Sequence, residues 1–109
     1  MLLSIGYLTA CNLNDEGTSD FMQGTYITND GMGQIKMYGD DEYLFNIIFI
    51  SRSISGRYIV AGNKLSLYDD SYELVFLIEN NKIVFEGAFV DGKKEDWIMQ
   101  PGKEFSFKN

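Results

Sequence analysis

Turn-forming residues recur every 8–12 positions from Phe21 onward, and this spacing constrains the fold more than any other feature of the chain. Between the turns, apolar and polar residues alternate, and no stretch keeps a helical period over ten or more residues. Loops this short join antiparallel neighbours, because a parallel pair needs a long crossover. A sheet of many short strands tends to curl and close. We therefore expect an all-β antiparallel meander of about 8–9 strands, closed or nearly closed into a small barrel. The turns are expected at residues 29–31, 39–41, 51–53, 61–63, 69–71, 79–81, 91–92 and 101–102.

Strand parity predicts which side chains fill the interior, since alternate residues of a strand point to the same face. The predicted inward set is bulky and apolar, with glycines where the backbone must curve tightly or approach a neighbour. We therefore expect a packed interior with little cavity. The predicted inward residues are Ile54, Gly56, Tyr58, Val60, Leu65, Leu67, Tyr72, Leu74, Phe76, Ile78, Ile83, Phe85, Gly87, Phe89, Trp97 and Met99.

Composition excludes several classes of function. The chain of 109 residues has no histidine, one cysteine and a formal net charge of −7. Without histidine there is no Ser-His-Asp triad, and one cysteine allows neither an internal disulfide nor a Cys/His zinc site. The acidic balance argues against non-specific nucleic-acid binding, which needs cations to neutralise phosphates. We expect no nucleic-acid partner, no metal and no cofactor.

The cysteine directly follows an apolar amino-terminal run, residues 1–10. Leu8-Thr9-Ala10-Cys11 resembles a bacterial lipobox, which implies cleavage before Cys11 and attachment of diacylglycerol to its sulfur. Such acyl chains anchor by burying methylenes, at about 0.8 kcal/mol each. No Lys or Arg precedes the apolar run, so the expectation allows for a start upstream of Met1. The alternative is a buried strand or short helix that holds an ordinary core cysteine.

These features predict three regions and an envelope location. Residues 1–10 would be a lipoprotein-type signal peptide, and residues 11–20 the lipidated cysteine with a polar, flexible tether. Residues 21–109 would be the barrel. The protein would then be held by its lipid on the periplasmic face of a membrane, or exposed at the cell surface.

The first predicted strand carries a glycine, one residue and an aromatic, Gly24-Thr25-Tyr26. This resembles the lipocalin Gly-x-Trp signature with tyrosine in place of tryptophan. The whole body from Phe21 to Asn109 looks like the small lipocalin-like, or calycin-like, barrels of bacterial lipoproteins. The resemblance implies an up-and-down barrel and, in the lipocalin manner, a small apolar ligand inside it.

A second motif, Ser55-Gly56-Arg57-Tyr58, is similar to the Ser-Gly-x-x-Tyr neighbourhood of periplasmic lysozyme-inhibitor lipoproteins. Those proteins are also eight-stranded barrels, so this resemblance implies the same fold class. They usually carry a disulfide within the barrel, which a chain with one cysteine cannot form.

No arrangement of residues indicates an enzyme. The clustered acids of residues 40–42 and 69–70 are expected to be solvated turn-formers, because Asp bonds its own turn backbone. A nucleophilic serine needs a general base, and the sequence contains neither a histidine nor a Ser-x-x-Lys motif that would supply one. Arg52 and Arg57 are the only arginines, and two readings stay open for them: scattered surface cations, or a clamp for an anionic group.

Parity also predicts an apolar surface. It turns Ile48 and Ile50 outward on one strand and Val75 and Leu77 outward on another, whereas most outward positions elsewhere are polar. Large exposed apolar patches usually mark a site that binds a protein, a membrane or a ligand. We interpret these four residues, with Arg52 and Arg57, as a candidate interface; the alternative is that the patch is covered within the chain.

Three functions fit these observations. The leading hypothesis is a membrane-anchored, non-enzymatic protein-binding module, such as an inhibitor, an immunity or exclusion factor, or an envelope sensor. Its partner would be another protein or a second copy across a two-fold axis. The alternatives are a lipocalin-like carrier of a small apolar ligand and a structural component of the envelope.

Overall fold

The computed structural model describes residues 21–108, and nine antiparallel strands make up most of this range. Cys11 and the predicted signal and tether regions lie outside the described residues. Strands form because β-branched and aromatic residues alternate with polar ones, which suits a pleated surface with one buried face. The strands are β1 Thr25–Thr28, β2 Gly33–Tyr38, β3 Glu42–Ile47, β4 Arg52–Ala61, β5 Lys64–Tyr68, β6 Glu73–Glu79, β7 Lys82–Val90, β8 Lys93–Glu95 and β9 Glu104–Lys108.

The sheet closes into an eight-stranded barrel, as the sequence predicts. Strands β1 to β7 pair in chain order, and β9 then lies between β7 and β1 to complete the circle. The short strand β8 pairs with the carboxyl-terminal part of β7 and is the ninth strand, outside the closed circle. This arrangement is consistent with a lipocalin-like fold. Within residues 21–108, no helix has the length and apolar character needed to cross a membrane.

The interior is filled by aromatic rings. Phe45, Phe76, Phe85 and Phe105 are at most 2 % exposed, and their rings meet edge to face with centroids 5.4–5.8 Å apart. Such contacts add about 0.5–1.5 kcal/mol each beyond the area that they bury. The described inward faces therefore follow strand parity, except at the end of β7.

The exceptions are Gly87 and Phe89, both of which the sequence predicts to face inward. Phe76 pairs with Phe85 but Val75 pairs with Gly87, so Glu86 is the extra residue of a β-bulge. The bulge reverses the parity of the last residues of β7. As a result Ala88 is buried at 3 % exposure, while Gly87 lies on the outer face opposite Val75 and Phe89 lines an outer surface groove.

The turn between β3 and β4 also differs from the prediction. It was expected at residues 51–53, but β4 already begins at Arg52 and the turn is the 3-10 turn Ile48–Ile50 followed by Ser51. Ser51 has a positive φ of 53° and donates its backbone N–H to the Ile48 carbonyl at 3.0 Å. Ile48 and Ile50 therefore lie on a turn and not on a strand.

One end of the barrel is closed by the residues that precede β1. The ring of Phe21 lies 6.1 Å from that of Tyr26 and 5.8 Å from that of Tyr58. The side-chain amide of Gln23 donates to the Gly39 carbonyl at 2.7 Å and to the Tyr58 hydroxyl at 2.8 Å. We call this end, formed by residues 21–24 and the turn 39–41, the closed end.

Candidate functional site: the apolar mouth of the barrel

The opposite end of the barrel, which we call the mouth, is bordered by three chain segments. They are the β1–β2 loop of residues 29–32, the 3-10 turn Ile48–Ile50, and the connection of residues 96–103 between β8 and β9. We call this last segment the strap. It forms no strand of its own, but Gly102 and Lys103 exchange backbone hydrogen bonds with Phe85 of β7. Its Trp97 packs on the interior rings of Phe45 and Phe85, with ring centroids 5.9 and 5.8 Å away. The strap therefore covers the interior and forms one wall of the mouth.

The edge of the mouth carries a cluster of exposed apolar side chains, which we call the rim. They are 37–57 % exposed, with Phe49 the most exposed large apolar residue in the described part of the chain. Isolated exposed apolar residues are normal, but a cluster at one pole of a small domain indicates a binding surface. The rim consists of Met32, Ile48, Phe49, Ile50 and Ile98.

Between the rim residues lies a cleft of about 510 Å³. Phe45 and Ile47 reach it from the barrel interior, and Trp97 and Met99 line it from the strap. Small-molecule and side-chain pockets in proteins are mostly apolar, with a few polar groups that fix orientation. Here the polar groups come from Thr28, Gln100 and the ion pair of Asp30 with Lys103.

Asp30 holds the β1–β2 loop in shape. Its carboxylate accepts hydrogen bonds from the Thr28 hydroxyl at 2.7 Å, the Met32 backbone N–H at 3.0 Å and the Lys103 ammonium at 3.1 Å. The bond from Thr28, followed by those from Met32 and Lys103, holds the pKa of Asp30 well below its usual value. Because Lys103 is on the strap, the ion pair also joins the strap to the loop across the mouth.

Two other surface clefts have nearly the same volume, about 540 and 520 Å³, so volume does not decide between the three. The larger lies on the outer wall, where Ile59 and Phe89 are surrounded by four carboxylates, those of Asp69, Asp70, Glu73 and Asp91. Asp69 accepts the backbone N–H groups of Ser71 and Tyr72, as expected for a turn-former. The mouth is the cleft with an aromatic floor and an apolar rim, so we take it as the candidate site.

The structure separates the four apolar residues that the sequence grouped. Ile48 and Ile50 lie on the rim, whereas Val75 and Leu77 lie half-buried on the outer wall, beside Ser66 and Lys64 of β5. The outer-wall pair neighbours Val84 of β7, and Ile59 lies two strands away across Ser66. The predicted patch is therefore two surfaces.

The two arginines also lie apart. Arg52 is exposed at the mouth end of β4, and Arg57 lies five residues further along, on the opposite face of the strand. Arg57 donates from one guanidinium nitrogen to both carboxylate oxygens of Asp41 at 2.8 and 2.9 Å. The two side chains do not converge into one anion clamp.

Sequence reasoning missed Phe49 and Met32. A strand would have turned Phe49 inward between its outward neighbours, whereas a 3-10 turn exposes all three residues of Ile48–Ile50. The available signal was the run of four apolar residues at 47–50 directly before a polar stretch. Met32 lies beside this turn, and the Ile48 N–H donates to its carbonyl at 2.9 Å, which links the two loops.

The described residues of the mouth form an apolar binding surface. Among residues 21–108, no group of three or more His, Cys, Asp or Glu side chains could hold a metal ion. Comparison of the chain with protein-family models, with curated proteins and with solved structures finds no match. The functional argument therefore follows from the residues of the mouth.

Proposed function

We propose that this protein is a lipid-anchored, non-enzymatic binding module of the bacterial envelope that takes up a protein partner in its apolar mouth. The observation that carries the proposal is the exposed turn Ile48–Ile50, none of whose side chains is buried. Two backbone hydrogen bonds hold this turn, from Ile48 N–H to Met32 and from Ser51 N–H to Ile48. A preorganised apolar loop loses little conformational entropy when a partner covers it.

The filled interior supports this function over that of a carrier with a ligand inside the barrel. An eight-stranded barrel has room for side chains or for one small ligand, and here four phenyl rings occupy the middle. An apolar anchor from a partner has the cleft above these rings available to it. Interfaces usually concentrate their energy in such a pocket.

The anchor is the second part of the proposal. Leu8-Thr9-Ala10-Cys11 and the polar residues after it support acylation of Cys11. Production of the full chain in a bacterium with labelled palmitate tests this, and label should enter the wild type but not the Cys11→Ser variant. Equal labelling of both proteins would overturn the anchor.

A matched pair of variants tests the mouth. Phe49 and Ile59 are 57 % and 53 % exposed, but Phe49 lies on the rim and Ile59 on the outer wall. Wild-type, Phe49→Lys and Ile59→Lys proteins are used to capture partners from the native envelope. A partner of the mouth is retained by the wild type and by Ile59→Lys, and it is lost from Phe49→Lys. A central apolar anchor is worth about 2 kcal/mol or more, so the Kd of the purified partner should rise by at least about 30-fold.

The unfolding midpoint separates binding from stability in this experiment. Because Phe49 is exposed, Phe49→Lys should unfold at nearly the wild-type denaturant concentration. Sedimentation of each purified protein shows whether the partner is a second copy. Unchanged binding by Phe49→Lys would exclude the rim as the interface.

The aromatic lining of the cleft favours one second candidate, a small apolar ligand bound at the mouth itself. Trp97 is the only tryptophan of the chain and lines the cleft, so its fluorescence reports occupation directly. Titration with a medium-chain fatty acid should shift Trp97 emission in the wild type but much less in Phe49→Lys. No shift at saturating concentration would exclude this candidate.

A further inference from the structure

The larger of the two clefts outside the mouth, about 540 Å³, lies on the outer wall of the barrel, and we call it the outer groove. Its apolar lining comes from Ile59 of β4, which is 53 % exposed, and from Phe89 of β7. Phe89 reaches the groove because the bulge at Glu86 turns the end of β7 outward. Bulges are common where a strand redirects a side chain beside a site. The outer groove is therefore an apolar surface that strand parity does not predict.

Four carboxylates surround this apolar lining, those of Asp69, Asp70, Glu73 and Asp91. Within residues 21–108 none of these four forms an ion pair, and no described Lys or Arg lines the groove. Elsewhere on the described surface, five acids are ion-paired: Asp30, Asp41, Glu79, Glu86 and Glu104. The outer groove thus combines an exposed apolar surface with negative charge that the chain's own cations leave unpaired.

Two cations of the chain lie on the same face but serve other contacts. Arg57 precedes Ile59 by two residues on β4, and its guanidinium donates to Asp41. Lys94 is paired with Phe89 across β8 and β7, and its stem crosses Gly87. A Cβ at Gly87 would lie 2.8 Å from the Lys94 Cε and 3.6 Å from the Phe89 Cε1, so the lysine stem lies beside the Phe89 ring. One lysine already packs there, and the ring still lines the groove on its other side.

This arrangement fits cationic side chains better than a metal ion. The carboxylates come from the β5–β6 turn, the start of β6 and the β7–β8 turn, and among residues 21–108 no three acids are grouped closely enough to hold a metal ion. Lys and Arg bury their methylene stems on apolar surface while the charged head stays among polar groups. A cation over an aromatic face gains further attraction. Ile59 and Phe89 offer the apolar surface, and the carboxylates offer the polar surroundings.

We infer that the outer groove binds a basic segment of a partner protein, in which Lys or Arg side chains flank an apolar residue. The apolar residue covers Ile59 and Phe89, and the cations reach Asp70 and Asp91. This surface is separate from the mouth, and the inference depends neither on the anchor nor on the partner of the mouth.

An NMR titration of the isotope-labelled full chain with the peptide Gly-Lys-Leu-Lys-Gly tests the inference. In about 0.15 M salt, charges more than about 8 Å apart are largely screened, so remote carboxylates contribute little. We expect saturable shifts of the amides of Ile59, Phe89 and Asp91. The peptide Gly-Glu-Leu-Glu-Gly should cause none. Absence of saturable shifts with the lysine peptide would overturn the inference.

Two double variants with the same change in charge separate the groove from net charge. Asp70→Asn/Asp91→Asn should raise the Kd of the lysine peptide at least about fivefold, because it removes two ion pairs. Asn suits the positive φ of 53° at Asp91, so the fold should be retained. Asp40→Asn/Asp96→Asn removes two unpaired carboxylates outside the groove and should change the Kd by less than about twofold. An equal loss in both double variants would mean that only net charge attracts the peptide, and would overturn the inference.

The pair of lysine variants used for the mouth gives the reciprocal control. Ile59→Lys places an ammonium in the groove and should abolish peptide binding, whereas Phe49→Lys adds the same charge at the rim and should retain it. The reverse pattern would place the peptide in the mouth and overturn the inference while leaving the proposed function intact. Displacement of the peptide by Ca²⁺, but not by NaCl of equal ionic strength, would show a metal site and also overturn it. If Phe49→Lys keeps the partner captured from the envelope, the function of the mouth fails, and the result for the groove still stands.

Discussion

Trp97 and Phe45 are 52 residues apart in sequence, yet their ring centroids are 5.9 Å apart and their planes are inclined by 56°. Phe45 is an interior residue of β3, whereas Trp97 belongs to the strap, which forms no strand of its own. The contact makes the strap a cover for the barrel interior. It also makes Trp97 a boundary between the packed rings and the cleft of the mouth.

Replacing Trp97 tests this cover. Trp97→Ala should destabilise the protein by about 1–3 kcal/mol, less than the 3–5 kcal/mol of a fully buried ring, because Trp97 is half-buried. The space left against Phe45 and Phe85 is aromatic, so added indole should raise the melting temperature of the variant. The neighbouring Ile98→Ala is the control, since Ile98 is exposed. If Trp97→Ala and Ile98→Ala melt at the same temperature, the strap does not cover the interior.

The aromatic interior makes a second prediction. Phe76 contacts the rings of both Phe85 and Phe105 and is fully buried. Phe76→Ala should lower the free energy of unfolding by about 3–5 kcal/mol, measured by urea denaturation. Ile59→Ala on the outer wall should change it by no more than about 0.5 kcal/mol. Equal midpoints for the two variants would contradict the assignment of the inner face.

Gly56 tests the close approach of two strands. A Cβ at this position would overlap the Tyr68 carbonyl oxygen and lie 3.1 Å from the Tyr43 ring. That oxygen belongs to β5 and moves only with its backbone, so Gly56→Ala should cost about 3 kcal/mol or more. Gly62 has φ +63° and open space around it, so Gly62→Ala should cost only about 1–2 kcal/mol. Thermal unfolding of both variants measures the difference, and the reverse order would show that β5 adapts.

The buried tyrosines predict sensitivity to alkali. Tyr43 is fully buried, and burial, followed by the 2.9 Å hydrogen bond between its hydroxyl and that of Tyr72, raises its pKa above the usual value. Below about pH 10 the phenol is neutral in both the folded and the unfolded state, so stability does not depend on it. Above that pH only the unfolded state ionises, and stability falls by up to about 1.4 kcal/mol per pH unit for each such tyrosine.

Burial also raises the pKa of Tyr26 and of Tyr72, so these residues add to the same slope. Urea denaturation between pH 8 and about pH 11 measures it. Tyr43→Phe removes one of the three contributions and should give a shallower decline. An unchanged slope in Tyr43→Phe would mean that Tyr43 ionises as readily in the folded protein as in the unfolded one.

The sequence by itself determined the strands and most of the inner face. Leu74, Phe76 and Ile78 alternate with outward residues, and an alternation with period two can bury its apolar side only as a strand. Gly, Asn and Asp at regular intervals then required short turns, and short turns required antiparallel neighbours. Closure of the barrel followed, because a curled sheet of this many strands can pair its two edges.

Only the tertiary structure decided where that local pattern is interrupted. The bulge at Glu86 turns Phe89 outward, because the register between β6 and β7 depends on both strands and not on either sequence alone. The turn Ile48–Ile50 is set by its bond to Met32, a residue of another loop. The mouth brings together residues near positions 32, 49 and 98, which are far apart in the sequence. Their proximity depends on closure of the barrel and on packing of the strap against the interior aromatic rings, so no local sequence pattern predicts it.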